Sequence, residues 1–435
     1  MQDQGEDFPL SRVPNAARYG WFSVAVQRFG QMSALSQFLL GATLGFGMKF
    51  WSAFWALTLG AVVLEVVSII VGIAGQREGM STSLLARWTG FGRYGSAVIG
   101  IVIAIGLVGW FGIQNAVFAA GLAQLMGGMP LWLWSILAGV AVIAIVTFGF
   151  LSMGWTAYIA VPLFLILSGW AIISGLSHHA LHHLVAMAPP GPLLTLSQGT
   201  TLVAGGFIIG AVITPDMTRF NRTAGDVVKQ TVLGITLGEY TIGLVGVLLA
   251  HAMRSSNVVS IVYSTSGFIG TIILIMATLK INDWNLYSST LGIVNAIDTL
   301  FGKKVSRTKT TWVIGGIGTV LAAAGILQHF VGFLIILGVA IPPISGIMMT
   351  DYWILGRQRK ALGDSLSQDR LPHHTELFNW PMIVAWVGSF LLGYFVQWGI
   401  QSINSLVAAV ILYWLCSMIN ARLANNPKMM VEETA

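Results

Sequence analysis

Long apolar runs recur from residue 20 almost to residue 421, and short polar segments separate them. A helix needs about 20 apolar residues to cross a bilayer. Only 9% of the residues are charged and 55% are hydrophobic, whereas about a quarter of an ordinary soluble domain is charged. Because hydrocarbon offers no water to the backbone, each run must satisfy its own amides as a helix. The chain is therefore predicted to be an all-α polytopic membrane protein.

The runs predict about twelve transmembrane helices. On the matching interruptions described below, we divide them into two units of five and a final pair. The first unit covers residues 20–176, the second 199–352 and the pair 378–421, with tails at 1–19 and 422–435. The spans are approximately 20–47, 52–75, 95–125, 130–152, 155–176, 199–217, 229–253, 260–290, 311–328, 331–352, 378–397 and 403–421. Twelve is an even number, so both termini are expected on the same side.

The basic residues predict the orientation. Eighteen of the 22 Lys and Arg residues fall in segments assigned to one side, and the other side carries only Lys49 and Arg254. Cytoplasmic loops of membrane proteins carry such an excess. Both termini are therefore predicted to be cytoplasmic, in a multi-pass protein of the cytoplasmic (inner) membrane. The net charge of +6 is spread over short loops, so no nucleic-acid partner is expected.

No cofactor or metal is predicted. The run His178 to His183 lies in an outer loop, where an amphipathic turn at the membrane surface is favoured over a metal site. The single cysteine, Cys416, excludes an intrachain disulfide and a cysteine-based metal site.

Two spans carry small or flexible residues near their middle, at 29–33 in the first and 204–210 in the sixth. Helices interrupted at matching places in two halves leave backbone groups unpaired, and these are tolerated where they line a cavity or bind a solute. Because five helices are an odd number, the second unit would be inverted relative to the first. Glycine also serves as a packing contact between membrane helices, and this alternative stays open.

Ionisable residues lie within the spans, and each is costly in hydrocarbon unless it faces a partner or a cavity. They are Arg28, Glu65, Glu239, Lys280 and Asp283. Residues 280–285 of the eighth span hold four polar side chains in six positions, more than helix packing requires. The sequence predicts a functional site there, whereas Glu65 and Glu239 are also compatible with a structural role.

Three motifs resemble those of the cytosine permeases, which belong to the nucleobase–cation symporter family together with hydantoin, allantoin and purine carriers. They are Gly109-Trp110-Phe111-Gly112, then Asn282-Asp283 with Asn285-Leu286-Tyr287, and Ile341-Pro342-Pro343-Ile344-Ser345-Gly346 with Asp351-Tyr352. The resemblance covers about residues 12–425. It implies a LeuT-like fold, in which a five-helix inverted repeat with broken helices 1 and 6 precedes two further helices, and it implies substrate binding near the midplane.

The resemblance also implies that Trp110 and Phe207 sandwich a flat heterocycle. Stacking on an aromatic ring contributes about 1–3 kcal/mol per base in nucleic-acid-binding proteins but discriminates little among rings. Hydrogen bonds must therefore select the substrate. Asn282 and Asn285 offer amides for this purpose, and the backbone around Gly206 offers further groups.

Gln114 lies four residues after Trp110 and hence on the same helical face. Its amide presents a donor and an acceptor to a ring edge. Hydantoin carriers have a glutamine at the corresponding place, whereas cytosine permeases place one three residues before the tryptophan, where this chain has Leu107. The resemblance therefore implies a related heterocycle more strongly than cytosine itself.

The family's sodium ion is held by carbonyls of the first span, here near Gly30 and Ser33, and by hydroxyls of the eighth span. Those hydroxyl positions correspond to Lys280 and Ile281, neither of which ligates sodium. We hypothesise that the Lys280 ammonium replaces the ion.

The carrier would then be sodium-independent or proton-coupled, with Lys280, Asp283 and Glu239 as candidates for proton coupling. The alternative is that Lys280 snorkels, or pairs with Asp283 or Glu239.

The predicted function is secondary import of a nucleobase or related planar N-heterocycle by alternating access. The alternative is a carrier of hydantoin, allantoin, a purine or hydroxymethylpyrimidine. A membrane enzyme would require clustered catalytic residues and a channel a repeated filter-like sequence, and neither is found. Asp216 and Arg219 form either a gate or a helix end, and Pro342-Pro343 is predicted to break the tenth span.

Overall fold

The computed structural model describes residues 11–32, 34–147, 180–368 and 370–424, together with 162, 163, 166, 169, 170, 173 and 174. Within these residues the chain is helical and contains no β-strand. The helices are α1 (Trp21–Met32), α2 (Leu35–Gly47), α3 (Phe50–Glu78), α4 (Thr82–Ala86), α5 (Gly92–Met126), α6 (Leu131–Thr147), α7 (Leu181–Ala186), α8 (Leu196–Val212), α9 (Pro215–Thr218), α10 (Ala224–Gly238), α11 (Leu244–Met253), α12 (Val258–Phe301), α13 (Arg307–Ala323), α14 (Phe330–Ala340), α15 (Pro342–Met349), α16 (Arg359–Ser367), α17 (Trp380–Phe395) and α18 (Gln401–Ala424).

Seven helical stretches among the described residues are long and apolar enough to cross a membrane. They are Phe50–Glu78, Gly92–Met126, Leu196–Thr218, Ala224–Met253, Val258–Phe301, Ile326–Leu355 and Gln401–Leu423. Helices α2, α6 and α17 are apolar but shorter. The predicted all-α class is confirmed. The number of twelve stays a prediction, since most of the fifth span (155–176) lies outside the described residues.

The first span is interrupted as predicted. Helix α1 ends at Met32 and α2 begins at Leu35, and Ala34 between them is extended, with φ −116° and ψ 163°. Ser33 itself lies outside the described residues.

The interruption predicted at residues 204–210 of the sixth span is wrong in position. Helix α8 is continuous through these residues, and the chain leaves the helix only at Ile213, before Pro215 opens α9. Gly205 serves packing instead, because a Cβ there would overlap the Leu334 carbonyl of α14. On α14, a Cβ at Gly338 would lie 2.6 Å from the Thr201 carbonyl oxygen. Close approach of two backbones is the other use of glycine in membrane helices.

The tenth span is interrupted where its two prolines predict. Helix α14 ends at Ala340 and α15 begins at Pro342. Proline has no backbone N–H to donate, so carbonyl groups near this point can accept hydrogen bonds from side chains instead. Trp386 of α17 donates its Nε1–H to the Ala340 carbonyl at 2.9 Å.

The helices form two packed groups. Helices α1, α2, α3, α8, α10 and α11 contact one another, and α5, α6, α12 and α13 contact one another. Helices α5 and α12 pack along much of their length in opposite directions: a Cβ at Gly292 would lie 3.1 Å from the Gly100 carbonyl oxygen, and one at Gly121 would lie 2.8 Å from Cγ1 of Ile275. Helix α14 packs on α8, and α15 packs on α18.

Candidate ligand site

The antiparallel packing of α5 and α12 brings the predicted polar residues of the third and eighth spans to one level. Gly100 lies beside Gly292 and Gly121 lies beside Ile275. The α5 residues midway between these two contacts therefore face the region of α12 around residues 281–285. Trp110 and Gln114 on one helix, and Asn282 and Asn285 on the other, fall in this interval.

Two of these amides are buried without a partner. The side chains of Gln114 and Asn282 are fully buried, and neither the oxygen nor the nitrogen of either amide has a hydrogen-bond partner within the described protein. The neighbouring Asn115 differs, because its Nδ2 donates to the Ser135 carbonyl at 2.8 Å. A buried polar group left unsatisfied costs about 1–3 kcal/mol. Such groups call for an explanation in a native structure, and a polar ligand supplies one.

Trp110 lies in an aromatic cluster that includes residues missed by the sequence analysis. Its ring contacts Phe330 edge-on at a centroid distance of 6.0 Å and Phe333 at 5.5 Å, with interplanar angles of 71° and 84°. Both phenylalanines come from α14, and the Phe333 ring also covers Gly109. Their i, i+3 spacing after a predicted loop is the only signal in the sequence that points to them.

The partner predicted for Trp110, Phe207, lies on α8. Its side chain is partly exposed, and its ring lies over Gly210 one turn further along the same helix. No ring contact joins Phe207 to Trp110 in the part of the chain that the structure describes. The sandwich therefore stays a prediction. Gly206 is half-buried beside Leu40 of α2, since a Cβ there would lie 3.0 Å from the Leu40 side chain.

Lys280 pairs with Asp283 on the same helix. The Lys280 Nζ lies 3.2 Å from Asp283 Oδ1 and 3.4 Å from Oδ2, and the Asp283 side chain is fully buried. The alternative in which Lys280 pairs with Asp283 is therefore present in the structure. Glu239 accepts instead from the Gln37 amide of α2.

The remaining residues of the predicted cation site are only partly described. Gly30 is exposed on α1, and a Cβ there would meet no atom within 4 Å. Ser33 lies outside the described residues, and Ile281 is half-buried on α12. Their role as equivalents of a sodium site therefore stays a prediction.

Asp216 caps a short helix. Its Oδ1 accepts from the Thr82 amide at the start of α4 at 2.7 Å, and Arg219 donates to the Asp216 carbonyl at 3.1 Å. These contacts match the helix-end interpretation rather than a gate. Among the described residues no three potential metal ligands cluster, and His178 and His179 lie outside those residues.

Known proteins share both the sequence pattern and the fold. Residues 12–415 match the family described as permease for cytosine/purines, uracil, thiamine, allantoin. The cytosine permease of Escherichia coli (strain K12) is 27% identical over 420 residues, which are 96% of this chain and 95% of the relative.

Two solved structures of the transporter Mhp1 superpose on the chain. The inward-facing conformation has a TM-score of 0.82 at 18% identity and covers 95% of this chain and 93% of its own. A closed conformation, described as that of a nucleobase-cation-symport-1 family transporter with bromovinylhydantoin bound, has a TM-score of 0.75 at 19% identity, with 95% of each chain covered. These likenesses confirm the LeuT-like fold. The family match spans nearly the whole sequence, so the chain belongs to the family of permeases for cytosine/purines, uracil, thiamine and allantoin and is a membrane transporter rather than an enzyme.

Proposed function

We propose that the protein imports a nucleobase or a related planar N-heterocycle across the cytoplasmic membrane by alternating access. The observation that carries the proposal is the pair of unpartnered, fully buried amides of Gln114 and Asn282, one on each of two packed helices. The cytosine permease of E. coli and the bromovinylhydantoin bound to Mhp1 support the same class of solute.

The chemistry of the site suits a flat ring with nitrogen and oxygen on its edge. Each amide offers a carbonyl acceptor and an NH₂ donor, which match the alternating donors and acceptors of such a ring. Trp110 offers the aromatic surface, and Phe207, Asn285 and the backbone at Gly206 are further candidates for contact. The position of Gln114 favours a related heterocycle over cytosine itself, and hydantoin, allantoin, a purine and hydroxymethylpyrimidine are the alternatives.

Counterflow in proteoliposomes tests the substrate class. Vesicles loaded with one unlabelled heterocycle at a time should take up the labelled form of the same compound with saturable kinetics. Gln114→Leu and Asn282→Leu should each lower the uptake at least tenfold. Gln401→Leu is the control and should leave the uptake unchanged, because the Gln401 amide lies outside the candidate site and donates to the Tyr394 carbonyl at 3.2 Å. Counterflow of none of the planar N-heterocycles, or an ohmic current in its place, would contradict the proposal.

The proposal extends to coupling: sodium is not required. A sodium ion beside α12 would face the Lys280 ammonium, whose charge the adjacent Asp283 carboxylate balances. Neither Lys280 nor Ile281 offers an oxygen ligand to sodium, so we infer that the Lys280–Asp283 ion pair takes the place of the cation. Uptake in choline buffer should equal that in sodium buffer within twofold. A strong sodium dependence would remove this part of the proposal and leave the substrate class standing.

The orientation completes the proposal. The excess of Lys and Arg in the segments on one side supports cytoplasmic termini in the inner membrane. Two oppositely inserted five-helix units, residues 20–176 and 199–352, would then place the interrupted first and sixth spans around one cavity.

A further inference from the structure

Two carboxylic acids lie on neighbouring elements within the group of helices that contains the interrupted first span. Glu239 directly follows α10, at the start of a π-helical segment (Glu239–Gly243), and is fully buried. Its Oε2 accepts from Nε2 of Gln37. Glu65 of α3 is half-buried, and its Oε1 accepts from the Thr236 hydroxyl at 2.5 Å, one turn before Glu239. Both acids lie deep in apolar helices and belong to no part of the candidate ligand site.

Neither acid has a cation beside it. In the part of the chain that the structure describes, the ion pairs involve other carboxylates, and the second oxygen of Glu239, Oε1, is buried without a hydrogen-bond partner. Arg28 of α1 packs against Gly234 of α10 and donates to Gln230 at 2.9 Å and to Thr214 at 3.0 Å. Its Nη1 is buried without a hydrogen-bond partner.

The other helices around Glu239 supply no compensating charge. Helix α2 contains no ionisable side chain, and α3 contributes Glu65 near its middle. The basic Arg77 in the last turn of α3 lies over the Trp353 ring, and Lys229 of α10 is exposed. The adjacent Tyr240 bonds its hydroxyl to Thr58 at 2.9 Å. Lys280, on α12 in the second group, is paired with Asp283. An uncompensated carboxylate is costly at membrane depth, so this carboxyl group requires a cation of some kind.

The geometry around Glu239 discriminates between cations. A metal ion requires several oxygen ligands, whereas the contact from α2 is the NH₂ end of the Gln37 amide, which carries partial positive charge. A proton requires no coordination shell and occupies the free Oε1 directly. The site therefore suits a proton better than a metal cation.

We propose that Glu239, with Glu65 beside it, carries a proton across the membrane together with the heterocycle. The step is a binding and release: the carboxylate takes up a proton from one side, and the neutral carboxylic acid gives it up to the other. The inference rests on the proposed function, because a coupling proton has a meaning only in a carrier.

The position of Gln37 connects this site to the interruption of the first span. Gln37 lies in the first turn of α2, three residues past the extended Ala34. The π-helical segment that begins with Glu239 packs directly on α2, since a Cβ at Gly41 would overlap the Gly243 carbonyl. Further along α2, Leu40 reaches Gly206 of α8. A change in the charge of Glu239 therefore acts first on its hydrogen bond with Gln37, in the first turn of α2. Single π-helical turns occur frequently at functional sites.

Accumulation driven by a proton gradient tests the proposal, with the heterocycle that the wild type exchanges in counterflow as the probe. For one proton per substrate, a gradient of one pH unit, alkaline inside, supports about tenfold accumulation. We expect this for the wild type and no accumulation beyond equilibration for Glu239→Gln, which should keep its counterflow. A wild type indifferent to the gradient, or a Glu239→Gln variant that accumulates like the wild type, would overturn the proposal.

Two further variants show where the effect resides. Asp226→Asn removes an acid from the same helix, at its first turn, where the carboxylate accepts from the Thr223 amide at 2.9 Å; it should accumulate like the wild type. Glu65→Gln should still accumulate but with a changed dependence on external pH. An accumulation profile for Glu65→Gln identical to that of the wild type would remove Glu65 from the site.

An infrared titration of purified protein separates failure of this inference from failure of the proposed function. The C=O band of a protonated carboxyl group should change with pH in the wild type and in Asp226→Asn, and be lost in Glu239→Gln. If no heterocycle exchanges, the proposed function fails, and this band still decides whether Glu239 binds a proton. A pH-dependent band that keeps its wild-type intensity in Glu239→Gln overturns the assignment.

Discussion

At the residue scale, burial without a hydrogen-bond partner is the reason why we propose Gln114 and Asn282 as binding residues. Both side chains are fully buried and unpartnered, whereas Asn115, next in sequence to Gln114, donates to a backbone carbonyl. Residue type and helical spacing were sufficient to select Gln114 and Asn282. The sequence does not contain their lack of partners, because hydrogen bonding depends on which carbonyls the neighbouring helices bring near.

Replacement of Gln114 by leucine should stabilise the ligand-free protein and weaken binding. The substitution removes two buried polar atoms that have no partner, and each unsatisfied group costs about 1–3 kcal/mol. We expect a higher Tm in detergent and a Kd for the heterocycle raised at least tenfold, which corresponds to about 1.4 kcal/mol. Thermal unfolding and binding titration on the same preparation measure both effects.

Gln401→Leu is the matched control. The Gln401 amide donates to the Tyr394 carbonyl, so its loss should lower the Tm and leave the Kd unchanged. A Gln114→Leu protein that loses stability and keeps its affinity would show that Gln114 is a structural residue.

At the scale of the helices, the interruptions of the sixth and tenth spans lie beside prolines. The interruption of the first span, at Ala34, does not. The prolines at 342 and 343 remove backbone donors, and the tenth span is interrupted at Ile341 as expected. Glycine only permits an interruption, and α8 passes unbroken through Gly205, Gly206 and Gly210. The helix ends instead at Ile213, shortly before Pro215. Proline was therefore the more reliable indicator.

Substitution at Gly205 should destabilise the contact of α8 with α14. A side chain at this position would overlap the Leu334 carbonyl, a backbone atom that cannot rotate away. Overpacking of this kind costs about 1–3 kcal/mol, so Gly205→Val should lower the Tm and the yield of monodisperse protein. Gly332→Val on α14 is the control, because nothing lies within 4 Å of a Cβ there. Equal Tm values for the two variants would contradict the close packing.

At the scale of the whole molecule, the candidate site residues are divided between the two packed groups of helices. Trp110, Gln114 and Asn282 belong to α5 and α12, whereas Gly206, Phe207 and Glu239 belong to the group that contains the interrupted first span. If, as we propose, a solute is held between the two groups and a proton within one of them, one relative motion of the groups would move both. This arrangement is the physical basis for the proposed coupling.

The orientation predicts a pattern of thiol labelling. In a Cys416→Ser background, a cysteine at the exposed position 49 should react with a membrane-impermeant maleimide in intact spheroplasts. A cysteine at the exposed position 303 should react only after permeabilisation, since Lys303 belongs to the basic segments assigned to the cytoplasm. Reversed labelling of Lys49→Cys and Lys303→Cys would show that the topology is the opposite of the predicted one. The transport measured in the uptake assays would then correspond to export from the cell.

The sequence alone determined the helical class and the family, because these depend on local hydropathy and on short motifs, and it predicts the approximate spans and the residue types of the site. The tertiary structure alone decided where the sixth span ends, that Phe330 and Phe333 surround Trp110, and that Gln37 meets Glu239. Gln37 and Glu239 are separated by 202 positions along the chain. No local pattern encodes a contact of that kind, because it arises only when whole helices pack.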